Sequence, residues 1–92
     1  MVKLINIVKS NLKDKKYIAH WSDNSKTHFG ASGYSDYTLH HDDERKKLYI
    51  KRHKKNENWN DPKSAGALSR WILWNKRTIK DSVAYFKKKF NL

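Results

Sequence analysis

Lys15-Lys16-Tyr17-Ile18-Ala19-His20-Trp21 alternates: in an extended chain Tyr17, Ala19 and Trp21 fall on one face and Lys16, Ile18 and His20 on the other. A strand apolar on one side needs partners, and both flanks supply them. Leu4–Ser10 is apolar and β-branched, and Lys26–Gly30 is a third short extended segment. Asn11-Leu12-Lys13-Asp14 and Ser22-Asp23-Asn24-Ser25 separate the three with turn-forming residues. The pattern predicts a three-stranded antiparallel meander.

Beyond Gly30-Ala31-Ser32-Gly33, read as a loop, Tyr34–His41 reads as extended or irregular. Three helices are then expected. Asp42-Asp43-Glu44 places acids at the positive end of a helix dipole and Lys54-Lys55 places bases at the negative end, so a helix of about 20 Å should span Asp42–Lys55. Asp61-Pro62 suits the start of a second, running to Trp74. Thr78, with Asp81 three residues on, starts a third that runs to Phe90.

At 100° per residue, Ile79, Val83, Phe86 and Phe90 make one buried stripe on the third helix. The second is apolar on two sides, Ala65/Leu68/Ile72 and Ala67/Trp71/Trp74. Its remaining side, Gly66/Ser69/Leu73, is small enough near its start for another backbone to approach. The chain is thus expected to be one α+β domain over residues 1–92, a small three-stranded antiparallel sheet followed by three helices.

Charge points to the partner. Twenty-one Lys/Arg against nine Asp/Glu give a formal +12 in 92 residues, which concentrates polyanions around the protein: DNA and RNA first, an acidic protein surface second, anionic lipid third. Seventeen of the 21 are Lys, suited to loose phosphate contact more than to base reading. With no Cys there are no disulfides, thiolate metal sites or Cys nucleophiles. Met1–Lys9 is too short and too charged for a signal peptide or membrane span, so a soluble, unsecreted protein is expected.

Seven Lys/Arg lie within Arg45–Lys55, and the helix there has two cationic sides. Lys47, Lys51, Lys54 and Lys55 share one arc; such a face is either solvated or meets an anion, and it is the first candidate for polyanion contact. Lys87, Lys88 and Lys89 are the second. Arg45 and Arg52 lie opposite the arc beside Tyr49 and are expected to pack on an aromatic ring or pair with Asp36, Asp43 or Asp61, the competing role being a phosphate clamp. Trp71 and Trp74 are expected in the core rather than on a base-stacking platform, while Trp21 and Trp59 stay open.

No spacing supports a metal site or cofactor. His40-His41-Asp42-Asp43 has ligand types in a poor arrangement, and His20 facing His28 across a hairpin would be an ordinary cross-strand pair. No phosphate loop, nucleophile turn or carboxylate cluster without a structural explanation occurs, so no catalytic residue is assigned and enzymatic activity is not expected. Asn75-Lys76-Arg77 allows a helix-turn-helix in which Lys80, Lys87, Lys88 and Lys89 would dock on DNA without reading it.

Gly33-Tyr34-Ser35-Asp36-Tyr37-Thr38, Asp43–Lys47, Asn58-Trp59, Asp61-Pro62 and above all Ser69-Arg70-Trp71-Ile72-Leu73-Trp74-Asn75-Lys76 resemble a family of small basic proteins of unknown function found in nucleocytoplasmic large DNA viruses (giant viruses). The resemblance runs from about Phe29 to the end, with Arg77 where the family pattern has Pro. It implies a viral protein of the virion or the cytoplasmic virus factory, and carries over no functional residue. Two roles are expected from it together with the charge: a nonspecific nucleic-acid binder acting on phosphates, or a minor capsid (cement) protein contacting capsid proteins.

Overall fold

The computed structural model describes residues 2–92. Three strands, β1 (Leu4–Lys9), β2 (Lys15–Trp21) and β3 (Lys26–Ala31), form an antiparallel sheet in the order β1-β2-β3, as the alternation predicts. Tyr17 pairs with Lys9 on one side and Phe29 on the other, and a bulge between Leu4 and Asn6 adjusts the β1 register. His20 and His28 do not face one another: His20 lies opposite Lys26, and His28 opposite Ile18.

Four helices follow rather than three. Asp36 caps a short α1 (Tyr37–His40), its carboxylate accepting from Thr38 N at 2.9 Å, within the segment expected to be irregular. A local side-chain cap stabilises a single turn that periodicity cannot reveal. α2 (Asp43–His53) begins where the acids predict, with Asp42 Oδ1 accepting from Glu44 N at 3.0 Å and Arg45 N at 3.3 Å, but it ends two residues earlier than expected, with Lys54 as its C-cap and Lys55 in the turn beyond.

The second expected helix starts later and is not α-helical throughout. Asp61 accepts from Lys63 N in a local turn, and Ser64 is the cap of α3 (Ala65–Leu68), accepting from Ala67 N at 3.1 Å. The chain then continues as a π-helical segment, Ser69–Leu73, closed by Trp74 N donating to Ser69 O at 3.1 Å. α4 (Ile79–Phe90) is capped by Thr78 as expected, and Asn91 ends it in a left-handed conformation.

The helices cover one face of the sheet. Leu4, Ala19, Trp21 and Phe29 of the sheet, Leu68, Ile72 and Leu73 of the central helix and Phe86 of α4 form the buried core, with Ile79, Val83 and Phe90 packed against it. The amphipathic stripe of α4 is therefore the one read from sequence. Close approach to the central helix is centred on Leu73: at Gly30 (φ +80°) a Cβ would lie 2.8 Å from Leu73 Cδ1. Gly66 instead admits the Glu57 side chain, not another backbone.

The wide π turn separates two tryptophans that an α-helix would hold on one side. Trp71 meets Tyr85 of α4, with ring centroids 5.8 Å apart, and donates Nε1–H to Trp59 O at 3.1 Å. Trp74 turns toward α2 and stacks on Tyr49 at 4.4 Å with nearly parallel planes. Neither is in the fully buried set, whereas Trp21 is, its indole N–H donating to Thr27 Oγ1 at 3.2 Å.

Candidate nucleic-acid interface

α2 is held by one face and leaves the others to solvent. Tyr49 anchors it in a column of rings: His53 stacks on Tyr49 at 4.3 Å, Tyr49 on Trp74 at 4.4 Å, and His40 of α1 lies against Trp74 at 5.3 Å. Lys46 reinforces the anchor, donating to Asn75 O at 2.6 Å with its ammonium 4.7 Å from the Tyr37 ring centroid. Burial, with Arg70 and Lys76 nearby, pushes the Lys46 ammonium below its ordinary pKa. This lysine is a structural one.

Burial also pushes the Tyr49 phenol well above its ordinary value, helped by the Glu57 carboxylate. A group whose folded pKa exceeds its unfolded one gives its full contribution below the unfolded value, about 10 for Tyr, and loses it as pH rises toward the folded value. We therefore expect unfolding above about pH 10 to be less steep in Tyr49→Phe than in the parent. Alkaline denaturation followed by circular dichroism checks this; identical profiles would show that Tyr49 does not link folding to pH there.

Around this anchor the structure distributes the sequence candidates. Lys47, Lys51, Lys54 and Lys55 are all exposed, and among the described residues the arc's one acidic contact is Lys47 Nζ to Glu44 at 3.7 Å, between two solvated groups. Such a pair adds at most about 1 kcal/mol. Lys87, Lys88 and Lys89 are exposed in the last turn of α4, where their charge also favours the helix dipole. Lys89 is partly committed, its ammonium lying 4.6 Å from the Trp71 ring centroid.

Arg45 and Arg52 do not follow the expected intramolecular packing. Both are exposed, and among the described residues neither makes an ion pair. The acids expected to receive them are engaged elsewhere. Asp36 takes Lys16 Nζ at 2.6 Å, Asp43 accepts from Tyr37 Oη at 2.6 Å, and Asp61 accepts from Lys63 N at 3.1 Å. Arg45 and Arg52 instead line a groove of about 620 Å³ between α2, the β3–α1 loop and the central helix, with Lys15, Tyr34, Leu48 and His53.

The arginine that does pack is Arg70, which sequence reasoning passed over. Its guanidinium lies 4.3 Å from the Trp71 ring centroid and 5.5 Å from that of Trp59, and Nη1 donates to Trp74 O at 2.7 Å. The only sequence signal was its place between Ser69 and Trp71. Trp59 Nε1 donates to Glu57 at 3.0 Å, so each of the four tryptophans has a partner inside the chain. A platform of unoccupied indoles is not formed.

Among the described residues no three His, Cys, Asp or Glu side chains stand together in a way that could hold a metal ion. No helix among them is long and apolar enough to cross a membrane.

No curated protein and no solved structure matches the chain. A family model does, over residues 5–53. That range takes in the sheet, α1 and α2 with Arg45, Lys47, Lys51 and Arg52, and it stops before the Ser69–Lys76 block. Matching more than half of its length, the chain belongs to this family, a family of unknown function (DUF5754).

Proposed function

We propose that this chain is a non-enzymatic basic protein that binds nucleic acid, double-stranded DNA foremost, through phosphate contacts and without strong sequence preference. The observation that carries the proposal is the uncancelled lysine cluster on and just past α2, where Lys47 and Lys51 of the helix, its C-cap Lys54 and Lys55 of the following turn are exposed with one loose acidic contact among them. Like charges on one helical face repel, and an array of phosphates relieves that repulsion while releasing condensed counterions. Lys87 and Lys88 extend the contact in second place. The resemblance to proteins of large DNA viruses extends the reading to the virion or the cytoplasmic virus factory.

The test is a titration of duplexes of unrelated sequence at several salt concentrations. Affinities should agree between sequences, and log K should fall linearly with log salt by about 0.9 per phosphate engaged. Absence of duplex binding at low salt overturns the proposal.

A second reading, a minor capsid (cement) protein acting through protein–protein contact, is favoured by β1. It is an edge strand that exposes Ile5 and Val8, apolar side chains suited to a protein partner. A fixed copy number in DNA-free shells would support this reading over the first.

A further inference from the structure

The lysine face is only half of α2. On its other side, Arg45 and Arg52 are seven residues apart, about 10.5 Å along the axis, and bracket Leu48. Leu48 is 55% exposed although it lines a groove, and Tyr34, which lines the same groove from the β3–α1 loop, is 74% exposed, with no ring stacked on it among the described residues. Gly33, beside Tyr34 in the chain, has φ +87° and no atom within 4 Å of a Cβ built on it, so the loop that carries Tyr34 is open to solvent there.

The groove is positive. Lys15, Arg45 and Arg52 line it together with a single carboxylate, Glu57, which is already held at one end by Trp59 Nε1 at 3.0 Å and lies 3.5 Å from His53 Nδ1. Its volume of about 620 Å³ is that of a small-molecule site. An occupant should therefore be anionic at its ends and flat and apolar in its middle.

We infer that this groove seats one unpaired nucleotide of a nucleic-acid strand, with Arg45 and Arg52 on the flanking phosphates and the base between Tyr34 and Leu48. Planar guanidinium forks suit bidentate phosphate contact, which the lysine arc does not provide. An unpaired base offers a π-face to an aromatic side chain, whereas an intact duplex keeps its bases stacked away from such a wall. The two sides of α2 then have separate tasks: Lys47, Lys51, Lys54 and Lys55 hold any backbone, and the arginine side selects strand that is unpaired. The inference rests on the nucleic-acid reading above and adds to it a preference that duplex binding does not require.

The experiment compares four probes at one salt concentration: an oligothymidylate of about ten nucleotides, an abasic strand of equal length, a duplex and free thymidine monophosphate. Oligothymidylate should bind more tightly than the abasic strand by about 5-fold to 150-fold, the range for one stacked base. Tyr34→Ala with Leu48→Ser should remove that difference and leave duplex affinity unchanged. Both residues are exposed, so the fold should tolerate the changes; an unchanged melting temperature verifies that. The monophosphate should bind weakly and in competition with oligothymidylate, which separates a strand site from a free-nucleotide site.

Equal binding of the abasic strand and oligothymidylate, or no effect of the double variant, overturns the inference while duplex binding stands. Tighter binding of the monophosphate than of the strand overturns the strand assignment. Displacement of oligothymidylate by polyglutamate of equal charge, with the same loss in the double variant, overturns the inference in favour of an acidic peptide. Failure of every polyanion to bind is failure of the nucleic-acid reading itself.

Discussion

Replacing Lys47, Lys51, Lys54 and Lys55 together by Glu is expected to lower affinity for duplex DNA roughly 10²-fold to 10³-fold at about 0.1 M salt, and to reduce the salt slope by about three to four. The magnitude follows from counterion release: four lost phosphate contacts remove about 0.9 each from the exponent in salt. The loss should be uniform across sequences, because phosphates carry no sequence. All four side chains are exposed, but Lys51, Lys54 and Lys55 sit at the negative end of the α2 dipole, so their reversal should also cost about 1–2 kcal/mol of stability, which a melting curve reads separately from binding.

The decisive control reverses Lys9, Lys13, Lys26 and Lys80, four exposed lysines on other elements, and so changes net charge equally. A much smaller loss in the control assigns binding to the arc. An equal loss in both variants would mean that affinity follows net charge alone, and the assignment to α2 would fall. Reversal of Lys87, Lys88 and Lys89 should have an intermediate effect, since Lys89 already lies over Trp71.

Asp36→Ala should destabilise the protein by about 3–5 kcal/mol, a large part of the total for a domain of this size. Asp36 is 3% exposed. It receives Lys16 Nζ at 2.6 Å, caps α1 through Thr38 N at 2.9 Å and also accepts from the Thr38 hydroxyl. Removing it strands a largely buried ammonium on β2 and frees the turn that joins the sheet to α1. Urea denaturation at neutral pH reads the loss as a midpoint shift of roughly 2 M at unchanged slope.

Replacing both partners, Lys16→Met with Asp36→Leu, should recover much of the loss, because the charges then leave together and apolar volume takes their place. The cap remains missing, so recovery stops about 1 kcal/mol short. A cost under 1 kcal/mol for Asp36→Ala would show that water reaches Lys16 and that the pair behaves as a surface one. Tyr34 stands two residues before Asp36, so loosening this turn should also weaken oligothymidylate binding more than duplex binding.

The strands, α2 and α4 were legible because their signals are contiguous. Alternation in Lys15–Trp21, the acids at Asp42–Glu44 and the stripe Ile79/Val83/Phe86/Phe90 each arise within one element and survive in the fold. α1 and the delayed start of α3 were not legible, since each depends on which of several nearby polar residues captures a backbone N–H: Asp36 in one case, Ser64 rather than Asp61 in the other. The four lysines of the arc are exposed, although Lys54 and Lys55 lie past the end of α2 rather than on the helical face read from the sequence. The groove could not be read at all.

Composition and periodicity alone determined an antiparallel sheet followed by helices and a surplus of cations on α2, because they concern residues a few positions apart. Tertiary structure alone decided that Arg45 and Arg52 face a groove, that Arg70 is the arginine packed on indoles, and that Trp71 and Trp74 part company at a π turn. The physical reason is separation along the chain. Lys16 takes Asp36 twenty residues on, Tyr49 takes Trp74, and Leu73 fills the space over Gly30, contacts that no pattern within a single element encodes.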